Sequence, residues 1–241
     1  MKKVVFAILL LPLASNAQLG GLINKAKDKV TEVTGTSTGL SNADIASALK
    51  EALNKGIDEQ VTKLTATDGF YKNEMVKILL PEELQKVDKT LRSVGMGNLA
   101  DEGLLVLNRA AEDAVKEATP IFVNAVTSMT FSDAKNILMG DDRSATTYLE
   151  KTTSTQLYGK FSPVVKTSLD KVGADKVWAT IIEKYNSLPL TKDVNPNLTD
   201  YVTSKAMSGV FTMISVEEKE IRTDLSSRTS DLLKKVFALQ D

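Results

Sequence analysis

The sequence predicts a mostly α-helical protein with one compact multi-helix domain, and a short β-hairpin near residues 69–80 is the one exception its pattern allows. Apolar residues recur at intervals of three or four through most of the chain, as in Ile45, Leu49, Leu53 and Ile57. This spacing places them on one face of a helix. No repeat of regular period is present, which disfavours a solenoid. A chain of 241 residues is long enough to bury a core without cross-links.

The N-terminal residues predict a secretory signal peptide over residues 1–17. Lys2 and Lys3 supply positive charge, an apolar run follows over 4–13, and small residues precede a cleavage site after Ala17. We therefore expect a periplasmic or secreted protein with no transmembrane segment after cleavage. Because the chain has no cysteine, we expect neither an N-terminal lipid anchor nor a disulfide.

Two segments are predicted ahead of the compact domain, which is expected over residues 41–241. Residues 22–33 have the pattern of a short, lysine-rich amphipathic helix. Residues 34–40 are rich in Gly, Thr and Ser, a composition typical of a flexible linker. We therefore assign residues 18–40 to a short helix and linker that precede the domain.

The segment over residues 69–80 differs from its surroundings. Asp68-Gly69 is a turn signal, and Val76 and Ile78 lie at alternate positions. Such alternation is typical of a strand with one buried face, so the segment is predicted to be half of a hairpin. We predict that a helix begins at Pro81, because proline is favoured at the first position of a helix.

The later part of the chain is predicted to be helical throughout, with one unusual helix. The segment 142–160 is rich in Ser and Thr, which are poor helix formers, so we expect tertiary packing to hold it and its hydroxyls to bond back to the backbone or to partners. Ser162-Pro163 is predicted to begin a separate helix. Another helix is expected over 198–214, and Ser215 with Glu218 has the capping-box pattern of the next one.

The composition excludes several classes of chemistry. The chain contains no histidine and no cysteine. Ser-His-Asp and Cys-His nucleophile systems are therefore impossible, as are zinc sites built from imidazole or thiolate. We expect no cofactor and no metal site. A net charge of −1 gives no electrostatic basis for binding nucleic acid.

Short motifs spread from about Leu40 to Phe237 together resemble one family. They are Gly69-Phe70, Ile78, Pro81, Leu107 to Glu112, Met129-Thr130, Asp133-Ala134, Ala145-Thr146, Tyr148, Lys151-Thr152, Tyr201-Val202, Gly209 to Phe211, Glu217-Glu218, Ile221-Arg222 and Arg228-Thr229. The sequence thereby resembles the exported bacterial family catalogued as domain of unknown function 4197. The resemblance implies an exported helical domain of unassigned activity, and it supplies no catalytic residues to carry over.

The arginines are the best candidates for specific polar contacts. The chain has 5 arginines against 25 lysines, and arginine suits buried or bidentate carboxylate pairs better than lysine does. Arg109 lies three residues before Glu112, which brings both side chains to one helix face. Two interpretations are open, ion pairs that fix helix packing and an anion-binding pocket. The candidate polar cluster comprises Asn108, Arg109, Glu112, Thr152, Arg222 and Arg228.

The leading functional hypothesis is an uncharacterised exported helical protein with a non-catalytic binding or structural role in the cell envelope. Its partner would be an unknown protein or a small amphipathic ligand held between helices. The alternative is a hydrolase that uses carboxylates with an Arg/Thr cluster, without His or Cys. A hydrolase of this kind needs a solvent-open cleft in which Arg109 or Arg222 meets two or more carboxylates. No catalytic residue is assigned.

Overall fold

A computed structural model describes residues 41–171, 174–187, 197–228 and 230–239. The predicted signal peptide, the helix at 22–33 and the linker at 34–40 lie outside the described residues. From Asn42 onward the chain forms one compact unit.

The described residues contain nine α-helices and one short 3-10 helix. The all-α prediction is therefore confirmed for this part of the chain. The α-helices are α1 (Asn42–Thr65), α2 (Glu82–Ser93), α3 (Gly97–Val115), α4 (Ala118–Ser128), α5 (Phe131–Leu138), α6 (Ser144–Lys171), α7 (Ala174–Asn186), α8 (Leu198–Thr223) and α9 (Asp231–Phe237). The 3-10 helix (Leu225–Ser227) lies between α8 and α9.

Helices α3, α6 and α8 form the centre of the fold, and each packs against the other two. Helix α1 packs across α4, α5, α8 and α9, while α7 packs against α2, α3 and α6. Leu107, Leu149, Phe161 and Val210, all on the central helices, are fully buried. Because burial of each such side chain contributes about 1.5–3 kcal/mol, this apolar centre is the main source of stability.

The predicted β-hairpin is wrong. Residues 67–72 and 74–76 form turns, residues 77–80 have no regular secondary structure, and no strand occurs among the described residues. The alternating burial that suggested a strand is nevertheless present, with Val76 and Ile78 buried and Leu79 exposed. The backbone of Ile78 bonds to the side chain of Asn108 instead of to a second strand, so no sheet forms.

The helix boundary predicted at Ser162-Pro163 is also wrong, because α6 continues through Pro163. Proline cannot donate the hydrogen bond to the carbonyl of Gly159, four residues earlier, and this normally interrupts a helix. Here Phe161 and Val165 are both fully buried on either side of the proline. Their burial outweighs the missing hydrogen bond.

The predicted capping box at Ser215 and Glu218 does not exist, because α8 runs without a break from Leu198 to Thr223. Glu218 therefore lies inside a helix, where its side chain is buried.

We expect Gly209→Ala to destabilise the protein. A Cβ atom at this position in α8 would lie 2.6 Å from the ring of Phe70, which is fully buried. Overpacking of this kind should lower the free energy of unfolding by about 1–3 kcal/mol. Urea denaturation of the variant and the wild type measures this difference.

Gly159→Ala is the matched control, because nothing lies within 4 Å of a Cβ added in the interior of α6. It should stabilise the protein by about 0.5–1 kcal/mol, since alanine favours the helix. Equal effects of the two substitutions would contradict the role given to Gly209.

Candidate functional site

Asn108 holds the end of the segment 68–80, which we call the 68–80 loop. Its side chain on α3 is fully buried. Its Oδ1 accepts a hydrogen bond from Ile78 N at 2.8 Å, while its Nδ2 donates to Ile78 O at 2.9 Å and to Leu104 O at 2.8 Å. The amide thus gives Ile78 both of the hydrogen bonds that a neighbouring strand would supply, and uses both of its own donors.

Arg109 and Glu112, also on α3, hold the beginning of the same loop. The guanidinium of Arg109 donates to Asp68 at 2.5 Å and to Glu112 at 2.6 Å. The second carboxylate oxygen of Glu112 accepts the backbone N–H of Phe70 at 3.1 Å. Arg109 and Glu112, together with Asn108, therefore fix the loop at both ends.

This arrangement brings Arg109 together with two carboxylates, as the hydrolase hypothesis requires, but both carboxylates have structural partners. Hydrogen bonds from Lys72 and Arg109 lower the pKa of Asp68 below its ordinary value. A general acid needs the opposite shift, towards neutral pH. Both oxygens of Glu112 already accept hydrogen bonds. The geometry therefore indicates that these residues fix the loop and do not form a reaction centre. We call Asn108, Arg109 and Glu112 the loop anchor.

Glu218 and Arg222 form a buried ion pair on α8, with side chains 6% and 5% exposed and a distance of 2.9 Å. Glu218 accepts hydrogen bonds from the backbone N–H groups of Ala145 at 2.9 Å and Thr146 at 2.8 Å, and from the Thr146 hydroxyl at 2.9 Å. These amides belong to the first turn of α6, which has no intrahelical partners for them. Glu218 thus caps a different helix from the one that its sequence pattern indicated.

Arg222 makes the complementary contacts at the end of α5. It donates to the carbonyls of Ile137 at 2.7 Å and Leu138 at 3.2 Å. The helix dipole favours a cation at the C-terminal end of a helix. We call the Glu218–Arg222 pair the helix-end clamp, since it joins the end of α5 and the start of α6 to α8.

Arg228 is separate from the helix-end clamp. Its side chain is 2% exposed, donates to the carbonyls of Ile221 at 3.0 Å and Arg222 at 2.9 Å, and lies 5.7 Å from the ring centre of Phe237. It therefore closes the C-terminal end of α8 and packs against α9.

Thr152 takes part in none of these groups. It is exposed, and its hydroxyl donates to the carbonyl of Tyr148 at 2.8 Å within α6. Thr153 and Ser154 likewise bond to carbonyls four residues earlier, as expected for a Thr-rich helix. The six residues of the predicted polar cluster thus occupy four places: the loop anchor, the helix-end clamp, the end of α8 and the surface of α6.

The sequence did not indicate Asp68 as a partner of Arg109 or Glu218 as a partner of Arg222. Its patterns predicted a turn at Asp68 and a capping box at Glu218. The spacing of four residues between Glu218 and Arg222 was the available signal, because it places an acid and a base on one helix face.

An apolar groove lies between α1, α8 and α9, next to the helix-end clamp. It holds about 30 Å³ of free space. Glu218 and Arg222 form part of its wall. The apolar residues that line it are Leu49, Ala52, Leu53, Gly56, Ile57, Ala145, Ile214, Ile221 and Phe237.

A wider depression of about 230 Å³, which we call the charged mouth, adjoins the groove. The two share Ala52, Gly56, Glu217 and Ile221 as lining residues. The other residues of the charged mouth are Lys55, Glu59, Lys63, Glu220, Ser227 and Leu233. An apolar interior is therefore separated by the four shared residues from a depression that charged side chains of both signs line.

Among the described residues, no three acidic side chains come together in a way that could hold a metal ion. No helix in the described part of the chain combines the length and apolar character needed to cross a membrane.

We expect Glu218→Gln to lower the free energy of unfolding by about 3–5 kcal/mol, because it leaves Arg222 buried without its counter-ion. Glu150→Gln is the matched control, since it removes an exposed ion pair with Arg143 at 3.0 Å. Surface pairs of this kind contribute about 0–1 kcal/mol. If urea denaturation gives similar losses of stability for the two variants, the helix-end clamp contributes no more to stability than an exposed ion pair does.

The free energy of unfolding should depend on Asp68 in acid. Because the folded-state pKa of Asp68 is lowered, its contribution is present above the unfolded-state pKa of about 3.9 and is lost as pH falls through the lower folded value. The stability difference between the wild type and Asp68→Asn should therefore be constant near neutrality and shrink below about pH 4. A difference that stays constant down to pH 2 would contradict this assignment. Asp142→Asn, in an exposed turn, controls for the loss of one negative charge.

The loop anchor and the helix-end clamp both lie within a segment that matches a known family. The profile of a family described as "Protein of unknown function (DUF4197)" matches residues 39–238. Comparisons with curated proteins and with solved structures each gave no match. The match covers most of the chain and agrees with the resemblance inferred from its motifs. The chain belongs to the DUF4197 family of proteins of unknown function.

Proposed function

We propose that this chain is an exported, non-catalytic binding protein whose ligand is a small amphipathic molecule held between α1, α8 and α9. One observation carries the proposal: the apolar groove and the charged mouth share a wall of four residues. An apolar chain in the groove would gain about 25 cal/mol per Å² of buried surface. The polar end of the same molecule would remain in the charged mouth.

The charged mouth carries side chains of both signs. It therefore favours a ligand whose polar end can interact with both signs over a ligand whose polar end has a strong charge of one sign. Lys55 and Lys63 lie on the α1 side together with Glu59, and Glu217 and Glu220 lie on the α8 side. Ligands with hydroxyl, amide or zwitterionic ends satisfy both signs of charge.

Binding requires the groove to widen, because about 30 Å³ is too small for an alkyl chain. Helix α9 is the element suited to move, since it has only seven residues and it contributes Phe237 to the groove wall. Arg228 caps the end of α8 immediately before it.

The non-catalytic part of the proposal rests on the state of the carboxylates nearest to the arginines. Glu112 and Glu218 each accept hydrogen bonds on both oxygens. Export rests on the N-terminal sequence, with Lys2 and Lys3, the apolar run and the small residues up to Ala17.

A fluorescence assay with N-phenyl-1-naphthylamine on the chain from residue 18 tests the binding. Ala52→Phe places a large ring in the shared wall and should abolish the fluorescence enhancement. The matched control, Ala43→Phe, lies at an exposed position of the same helix outside the groove and should bind as the wild type does.

Phe237→Ala provides an independent variant with the opposite expected effect. It enlarges the groove, so probe affinity should rise even though stability falls by about 3–5 kcal/mol. Circular dichroism establishes that each variant is folded at the assay temperature. A wild type that does not bind the probe, or binding that neither Ala52→Phe nor Phe237→Ala alters, would overturn the proposal.

A further inference from the structure

A second pocket lies on the other side of the α5–α6 connection and shares no lining residue with the apolar groove or the charged mouth. It has a volume of about 300 Å³, at the lower end of the range for small-molecule sites. We call it the polar pocket. Its lining residues are Asp133, Asn136 and Ile137 on α5, Asp141 in the connection, and Ser144, Thr147, Tyr148 and Lys151 on α6.

The two helices present these residues at helical spacing. On α6, Ser144, Thr147, Tyr148 and Lys151 are three, four and seven residues apart, so they form a single face. The residues of α5 are spaced in the same way. The helix-end clamp joins the facing ends of α5 and α6, so the walls of the polar pocket are held in a fixed relation.

Each carboxylate of the polar pocket uses only one oxygen within the described structure. Asp133 Oδ2 accepts the N–H of Thr130 at 2.9 Å and its hydroxyl at 2.7 Å. Asp141 Oδ1 accepts Arg143 N at 2.9 Å and the Ser144 hydroxyl at 3.0 Å. These bonds orient both carboxylates and lower their pKa values, so both stay ionised at neutral pH. Their second oxygens remain available as acceptors.

The remaining polar side chains supply donors that nothing in the described residues uses. Lys151, Asn136 and Thr147 make no side-chain hydrogen bond or ion pair there, in contrast to Thr152, Thr153 and Ser154 on the same helix. Tyr148 is half-buried, and its hydroxyl makes only a long contact of 3.4 Å with Ala125 O. Acceptors, donors and one aromatic side chain thus line the same pocket.

This set of groups favours neutral ligands over charged ones. Two ionised carboxylates oppose phosphate and other anions. A cation meets Lys151 in the pocket, and Arg143 and Arg222 act on Asp141 from its edge. A neutral ligand whose hydroxyls both donate and accept can bond to carboxylate and ammonium alike, and charge-assisted hydrogen bonds are the stronger kind.

We infer that the polar pocket between α5 and α6 binds a neutral polyhydroxylated ligand of the saccharide class. Asp133 and Asp141 accept from its hydroxyls, Lys151, Asn136 and Thr147 donate to them, and Tyr148 packs against its apolar C–H face. Nothing in the geometry assigns hydrolysis, and the site is independent of the amphipathic ligand proposed for the groove.

The experiment is a two-dimensional ¹⁵N NMR titration of the chain from residue 18 with glucose and with N-acetylglucosamine at millimolar concentrations. Shifts in the amides of Asn136, Thr147 and Tyr148 are expected for at least one sugar. The double variant Asn136→Ala/Lys151→Met should weaken that affinity roughly tenfold or more, because it removes two donors. Both positions are exposed, so the fold is retained.

Lys160→Met, an exposed lysine of α6 outside the pocket, is the matched control and should bind as the wild type does. Glycine and inorganic phosphate are titrated in parallel as a zwitterion and an anion. The inference is overturned if neither sugar shifts these amides, if only glycine or phosphate does, or if the double variant binds sugar with unchanged affinity. Failure of the naphthylamine assay would leave this result unaffected, since the two sites share no residue.

Discussion

The rest of this structure depends on the ion pair between Glu218 and Arg222. A buried ion pair is expensive unless the remaining hydrogen-bonding capacity of both groups is used. Here the carboxylate accepts hydrogen bonds from amides at the start of α6, and the guanidinium donates to two carbonyls at the end of α5. Each charged group of the pair therefore bonds to the end of another helix as well as to its counter-ion. Three helices are joined at one point as a result.

Both proposed binding sites lie against this point. The apolar groove has Glu218 and Arg222 in its wall, and the polar pocket lies between the two helices whose ends they join. Their chemistry differs because their surroundings differ: α1, α8 and α9 contribute aliphatic side chains, whereas the outer faces of α5 and α6 contribute polar ones.

The loop anchor on α3 shows the same use of buried polar groups at a different place. Asn108, Arg109 and Glu112 bond to backbone and side-chain groups of the 68–80 loop, and no sheet is needed to satisfy them. Once the loop is fixed, its buried residues fill the core, with Phe70 against Gly209 of α8. Met75 and Leu79 are left exposed on its outer side.

The sequence by itself determined the helical class, the position of most helices and the chemistry that cannot occur, because these follow from periodicity and composition. It placed Asn108, Arg109 and Glu112 on one helix, but it joined them to Thr152, Arg222 and Arg228 in a cluster that the structure divides among four places. Tertiary structure decided the rest. Pro163 lies inside a helix because its neighbours are buried, the 77–80 segment remains without a partner strand because Asn108 replaces one, and Glu218 caps a helix that begins more than seventy residues earlier. Each of these outcomes depends on a contact between distant parts of the chain, which no local pattern contains.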